Sequence, residues 1–385
     1  MHGASMAGLR QIGHHDLAGN GDGMQVMRGG DALYVAHFGP SRMGTSILDA
    51  SDPTNLQLVA QWPVPGGGHT HKVQVADGLL LTNHEHFRGS DPDRAGLCVY
   101  DLTDPFAPEQ VGFWESGGRG VHRIVYEGGR YAYLSATPDD YRERIWFVID
   151  VSDPSNPVEA GRWWWPGMRL DETPTWPDEE NRSVHHAMVQ GDRAYLGFWD
   201  SGMVILDTSD LSDIRTISHL NWTPGGHTHT VLPLPGRDYV AVTDEQIKDG
   251  RAVPHMIRVV DISDEANPEV VATCPEPGDE YWDRGLRYGA HCLHENRPGS
   301  YRSAEVILAT YFNAGVRVYD LADPKDPKEI AHWVGACPPG QEAIQMNDLW
   351  VDEDLLVYAT DRAGSGVYVL EPEPELRQRM EATRL

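Results

Sequence analysis

The chain is poor in cysteine, poor in basic residues, and has no long apolar run. Its four Cys (Cys98, Cys274, Cys292 and Cys337) are scattered and form no C-x-x-C pair, so reduced thiols in a cytoplasmic protein are the expectation. Lys and Arg number 31 against 58 Asp and Glu, a formal net charge of −27. Nucleic acid and anionic membranes both need a basic face, so neither is an expected partner. No 18-residue apolar stretch exists to form a transmembrane helix. Met1 to Ala7 lacks the apolar region of a secretory signal. There is no G-x-S-x-G elbow, no P-loop and no convincing G-x-G-x-x-G; Gly364-Ser365-Gly366 reads as a hairpin turn.

What the chain does have is repetition. Ile47-Leu48-Asp49-Ala50-Ser51-Asp52-Pro53 returns as Val148–Pro154 and Val318–Pro324. Weaker copies end at Asp101, Asp207 and Asp261, and a worn one at Glu371, giving spacings of 52, 49, 57, 54, 59 and 51 residues. Self-similarity at this period signals a repeat architecture. The third unit shows the plan: Val121–Tyr126, a Gly128-Gly129 turn, Arg130–Ser135, Ile145–Asp150, then Val158–Trp163. Runs rich in β-branched and aromatic residues, cut by Gly, Asp and Pro, read as strands and turns. Four strands per unit make a propeller blade. The expected fold is all-β, a seven-bladed β-propeller of four-stranded blades, filling residues 1–385 as one domain. Residues 22–371 carry the seven repeats, and residues 372–385 form a polar tail. The seventh unit lacks a fourth strand, and the segment within residues 8–20 resembles it. Closure of the ring by the N-terminus would remove two free sheet edges.

Eighteen His are present, and their placement matters more than their number. His71, His122, His185 and His229 each stand six residues before the turn that follows their first strand, and His291 matches them in phase. The first unit holds Gly23 in this column, and the seventh falls near Met346 and Asn347. First strands of a propeller line the central channel, so five imidazoles are expected at one mouth. A capping or core role explains a lone His well, but does not explain five in register. Neutral imidazoles gathered in this way suit a divalent transition metal. The loops Gly67-Gly68-His69-Thr70-His71 and Gly225-Gly226-His227-Thr228-His229 are near copies, and alternation would turn both His of each toward the channel. Of His185 and His186, only one is expected to face inward.

The expected cofactor is one divalent transition metal on three or four of the five, iron(II) favoured, with manganese, copper and zinc open. His69, His227 and His186 are the candidates for moving protons. Glu85 and Glu245 are expected to orient imidazoles, on loops leaving the second strand that are expected at the opposite mouth. Arg123, beside Lys72 and Arg287, is a candidate for a substrate carboxylate or phenolate, and Asn347 and Glu245 join it as substrate contacts. The long connections at Trp163–Arg182, Cys274–Arg287 and Asn83–Ala95 are candidate lids. Trp164 is expected to help roof the His mouth for an aromatic ligand. The expected partner is a small molecule, and the oligomeric state is open.

Phe147-Val148-Ile149-Asp150-Val151-Ser152-Asp153-Pro154 and its copies resemble the LVIVD-repeat proteins over nearly the whole chain, which implies a β-propeller. With His71, His122, His185, His229 and His291 on inner strands, the plan is similar to that of the carotenoid-cleavage oxygenases, which have a four-His iron centre. It is similar also to the metal-containing selenium-binding/methanethiol oxidase propellers. Those likenesses imply an O₂-using oxidoreductase acting on a small aromatic or unsaturated molecule. Oligogalacturonate lyases, which hold manganese among propeller His, imply a metal-dependent lyase or hydrolase instead. A scaffold with a structural ion is the third expectation.

Overall fold

The computed structural model describes residues 3–39, 42–64, 68–86, 94–222, 225–247 and 256–385. Seven four-stranded antiparallel sheets form a ring, a seven-bladed β-propeller. Blade 3 runs Gly120–Val125, Tyr131–Thr137, Ile145–Asp150 and Val158–Trp163, as the repeat predicts. Each Asp that ends a third strand caps its own turn. In blade 3 the Ser152 amide donates to Asp150 Oδ1 at 3.0 Å and the Ser155 amide to Asp153 Oδ1 at 3.1 Å.

The ring closes through the N-terminus, with an addition. Leu9–His15 pairs with Gly366–Pro372 and completes blade 7. Ser5–Ala7 pairs with Lys328–Val334 and becomes the outer strand of blade 6. On the inner edge of blade 6, His291 to His294 makes only isolated pairings with Val306–Thr310, so the added strand keeps the sheet at four strands. Residues 372–385 are polar, as expected, but contain a helix at Pro374–Ala382 that buries Leu376 and Met380.

Aromatic pairs bridge neighbouring blades. Trp62 stacks on Tyr100 at 5.2 Å, Trp114 meets Phe147 at 5.2 Å and Trp333 meets Tyr368 at 4.8 Å. Each ring buried in such a wedge contributes roughly 1.5–3 kcal/mol.

One irregularity positions the whole centre. The first strands of blades 1, 3, 5 and 7 each carry a β-bulge at one residue: Met24, His122, His229 and Asn347. Blades 4 and 6 show the same hydrogen-bond pattern. The His185 amide donates to the Gly197 carbonyl while the Gly197 amide donates to that of His186. The His291 amide donates to the Thr310 carbonyl while the Thr310 amide donates to that of Cys292. A bulge inserts one residue and breaks strict alternation. The column residue and the residue after it therefore both reach the channel. The expectation that only one of His185 and His186 faces inward is thus corrected. The bulge also sets the first blade's column residue as Met24, not Gly23, and the seventh's as Asn347.

Candidate metal centre

The five column imidazoles stand in blade order around one mouth of the channel. Ring centroids are 4.9 Å apart for His71 and His122, 5.0 Å for His122 and His185, 4.1 Å for His185 and His229, and 4.3 Å for His229 and His291. Two imidazoles bound side by side to one ion at about 2.1 Å have centroids about 4.5 Å apart. The observed spacing matches that arrangement. All five thus stand in one arc at this mouth.

Glycine and asparagine set up the ring locally. Gly120 has φ of 92°, and a Cβ there would collide with the His84 carbonyl. That close approach pairs Gly120 with Glu85 and brings His122 to the carboxylate. Asn83 substitutes for missing ladder partners. Its Oδ1 accepts from the His71 and Lys72 amides at 2.9 and 2.8 Å, and its Nδ2 donates to the Val121 carbonyl at 2.8 Å.

Hydrogen-bond partners assign the tautomers, and the assignment separates the five His. Glu85 accepts from Nδ1 of His122 at 3.0 Å. The His229 carbonyl accepts from Nδ1 of His185 at 3.3 Å, and the Asn347 carbonyl from Nδ1 of His291 at 2.6 Å. Carboxylates and carbonyls only accept, so Nδ1 carries the proton in all three rings and Nε2 is bare.

His229 follows by a longer chain. Nε2 of His186 lies 3.1 Å from a Glu295 carboxylate oxygen, which can only accept, while the Arg123 guanidinium faces its Nδ1 at 3.5 Å, so neutral His186 carries its proton on Nε2. The Thr230 hydroxyl then donates to Nδ1 of His186 at 3.2 Å and accepts from Nδ1 of His229 at 2.7 Å. His229 too presents a bare Nε2. His71 is the opposite case. The amide nitrogen of Asn83 faces its Nδ1 at 3.2 Å, so the proton sits on Nε2, which has no hydrogen-bond partner among the described residues.

His122 and His185 supply the decisive contact. Their Nε2 atoms are 3.2 Å apart. Both rings have given their single proton to an outer acceptor, so neither can donate to the other. Burial lowers His71, His185, His229 and His291 well below 6.5, and lowers His122 to about 4 against the pull of Glu85. Protonation is therefore not the remedy near neutral pH. A cation between the two lone pairs would relieve the contact, since two ligands about 90° apart on one ion at about 2.1 Å lie about 3.0 Å from each other. The facing lone pairs of His122 and His185 could thus hold a transition metal, with the bare Nε2 atoms of His229 and His291 next in the same ring. Glu245 is within reach of the same point, with Oε1 3.5 Å from Nε2 of His291. Ligand atoms lie within 4.8 Å of one another in three sets: His185, His229 and Glu245; His229, His291 and Cys292; and His69, His71 and Glu85.

Glu85 and Glu245 are at the His mouth, not the opposite one. A first strand starts beside the point where its antiparallel second strand ends, so residues leaving the second strand return to the same side. For Glu85, burial would raise the carboxyl, but His122 and His69 outweigh it and hold it below the usual range.

The other candidates divide. His69 stacks on His71 at 3.9 Å and its Nδ1 lies 3.2 Å from Glu85. His227 turns to the rim, where it stacks on Trp199 and its Nδ1 meets Asp200 at 2.5 Å. The pairwise inward turn expected of both H-x-H loops holds for the first only. His186 and Arg123 lie one layer down, where Arg123 reaches Nδ1 of His186 at 3.5 Å and Sγ of Cys292 at 3.8 Å. Asn347 is buried and positions His291 and Arg362, the latter by a 3.2 Å bond to its Oδ1.

Trp164 does not roof the mouth. It packs on Tyr141 at 5.6 Å, in the flanking aromatic cluster of the Trp163–Arg182 connection. The aromatic residue at the mouth is Trp199, stacked on His185 at 4.9 Å. It hides in a Phe-Trp-Asp turn with no repeat signal. The Cys274–Arg287 connection does reach the site, through Arg287. The centre of the Asn83–Ala95 connection, residues 87–93, lies outside the described residues.

A cavity of about 230 Å³ opens over the ring. Its lining includes Met24, Phe38, Trp199, Arg144, Arg287 and Arg362 besides the five His. Below, the channel is filled. Arg297, from the insertion after His294, donates to Gln74 at 2.6 Å and to the Tyr126 carbonyl. Sequence reading passed over this plug because the insertion blurred the register there.

Because Glu85 holds the Nδ1 proton of His122, Glu85→Gln is expected to weaken metal binding 10–100-fold without unfolding the ring. Titration of the metal-free protein with Mn(II) or Zn(II) checks it. An unchanged affinity removes Glu85 from the centre.

The comparisons agree with this architecture. The LVIVD repeat family model matches residues 144–163 and 181–219. The chain thus carries segments similar to the LVIVD repeat within a seven-bladed β-propeller. No curated protein matches by sequence. Among solved structures, the β-propeller domain of Cps50 (Swd1) from Myceliophteria thermophila is 11% identical, with a TM-score of 0.59 over 96% of this chain and 100% of that one. Raptor from Chaetomium thermophilum is 14% identical at a TM-score of 0.59, over 97% of this chain but 30% of its own length. The computationally designed Ika8 protein is 9% identical at 0.53, over 93% and 98%. Likenesses this remote carry the fold alone. No helix among the described residues is long and apolar enough to cross a membrane.

Proposed function

We propose that this chain is a metal-dependent oxidoreductase that uses O₂ on a small organic molecule. One divalent transition metal, iron(II) favoured, would be held by His122, His185, His229 and His291. The observation that carries the reading is the pair of bare, part-buried Nε2 atoms 3.2 Å apart beneath an open cavity. Bound iron(II) supplies redox chemistry with O₂ and open coordination positions beside neutral nitrogen ligands. The chain's own residues do the rest. Glu85 and the Asn347 carbonyl fix the ring orientations of His122 and His291. Phe38, Met24 and Trp199 exclude water from the cavity wall, and Arg297 closes the far side. His69, against Glu85, is placed to move a proton at the cavity wall.

That same His69–Glu85 pair supports a second reading, a metal-dependent lyase or hydrolase that needs no O₂. The likeness to the oxygenase propellers is carried by the imidazole ring alone.

Metal analysis of protein purified without a His-tag is expected to find about one equivalent of iron. An oxygen electrode with a panel of small phenols and unsaturated acids is expected to record consumption. Turnover without O₂ on a zinc or manganese centre defeats the oxidoreductase reading. Absence of any bound or bindable metal defeats both readings.

A further inference from the structure

The charge at the His mouth contradicts the charge of the chain. The protein carries −27 overall, yet three guanidiniums, Arg144, Arg287 and Arg362, line the cavity beside a single carboxylate, Glu245. Arg287 is committed to Glu245 at 2.6 Å. Arg362 donates to Oδ1 of Asn347 at 3.2 Å and lies 4.4 Å over the Phe38 ring. Arg144 donates its Nε to the Val184 carbonyl at 3.1 Å and lies 5.1 Å over the Trp199 ring. Its neighbour Glu143 turns away to Arg119 at 2.7 Å. No carboxylate among the described residues forms an ion pair with Arg144.

Arg144 lies in the field of Glu85, Glu143 and Glu245 but is in direct contact with none of them, so a ligand carboxylate would supply the close counter-charge that its burial calls for. Arg presents a planar fork that matches a carboxylate, and low-dielectric walls focus the field on it. Both guanidiniums are pinned by an aromatic face on one side and a hydrogen bond on the other, so their orientation costs little on binding. The two rings they cover, Phe38 and Trp199, also line the cavity. Volume sets the size. At about 230 Å³ the space falls below the roughly 300–1,000 Å³ typical of drug-sized ligands. One ring or one conjugated chain with its acid group fills it.

We infer that the cavity takes a small planar organic anion, an aromatic or conjugated monocarboxylate, with its carboxylate on Arg144 and Arg362 and its flat face against Trp199 and Phe38. This deepens the proposed function and shares its cavity, but binding can be read without turnover. Four neutral imidazoles would add to the attraction, because they leave the charge of a bound ion unbalanced.

The test is calorimetric titration of the full chain, metal-free and metal-loaded, with cinnamate and with the neutral isostere cinnamamide. Cinnamate is expected to bind at least about tenfold more tightly than cinnamamide in both forms, with affinity falling as ionic strength rises. Arg144→Gln is expected to remove most of that preference while leaving cinnamamide unchanged, and Arg144→Lys to restore part of it. Melting temperatures of the variants confirm the fold. Equal binding of acid and amide, no saturable binding of either, or a preference that survives in the Arg144→Gln, Arg362→Gln double variant overturns the inference. A preference for cinnamate with no metal-dependent turnover upholds this inference and sinks the proposed function. Metal-dependent turnover of neutral molecules with no preference for the acid does the reverse.

Discussion

Alanine at His122, His185, His229 or His291 is expected to abolish stoichiometric metal binding, while alanine at His71 leaves it in place. The five rings are equivalent in the repeat and nearly equivalent in position, but not in their protons. Four donate Nδ1–H to an acceptor and aim a bare Nε2 inward. His71 receives the Asn83 amide on Nδ1 and aims an N–H inward instead. A nitrogen that carries a proton is no ligand. Loss of a true ligand should exceed the 10–100-fold penalty expected for an outer partner such as Glu85. Metal content after dialysis, with a thermal melt to verify the ring, decides the matter. A His71→Ala protein that loses metal as fully as His122→Ala refutes the tautomer assignment. A His122→Ala, His229→Ala double variant that keeps its metal refutes the centre.

The metal-free protein is expected to lose stability steeply from about pH 6 down to about pH 4, and bound metal to shift that loss to lower pH. Burial holds His71, His185, His229 and His291 well below 6.5, and His122 and His186 at about 4. In the unfolded chain these six groups take up protons as pH falls through 6.5, whereas in the folded chain burial keeps them neutral well below that, His122 and His186 down to about 4. The unfolded state therefore binds more protons throughout that window, and folding weakens as pH drops. Each group that stays neutral while its unfolded form is protonated contributes a slope of up to about 1.4 kcal/mol per pH unit. Typical domains have only about 5–15 kcal/mol to lose. Metal binds the folded state through these same deprotonated nitrogens and so opposes the loss. Denaturant midpoints at pH 7, 6, 5 and 4.5, with and without Zn(II), test this. A midpoint that stays flat to pH 4.5 in metal-free protein shows that the imidazoles are not buried neutral.

The repeat made the fold legible because its signals are local. An Asp that caps its own turn, a β-branched run and a Gly-Gly break each act within a few residues, and seven copies remove ambiguity. The His column was legible for the same reason, since phase relative to a turn is a counting exercise. Register at the column was less so. Gly23 was assigned where Met24 stands, and His186 was counted as an outward alternate, because a β-bulge changes which residues face inward without changing the sequence pattern. Glu85 and Glu245 were recognised as partners but set at the wrong mouth, although antiparallel pairing would have returned them to the His side. Trp199, Arg144 and Phe38 carried no repeat signal, and the Trp163-Trp164-Trp165 run drew attention away from them.

By itself, then, the order of residues determined the blade count, the strand plan, the closing N-terminus and which imidazoles share a ring. Tertiary structure alone decided which nitrogen of each imidazole faces the centre and which cations line the space above it. The reason is that a tautomer is set by its partner across the blade interface. His122 and Glu85, His185 and the His229 carbonyl, and Thr230 between His186 and His229 lie 37, 44 and 44 residues apart in the chain but within hydrogen-bond reach in the ring.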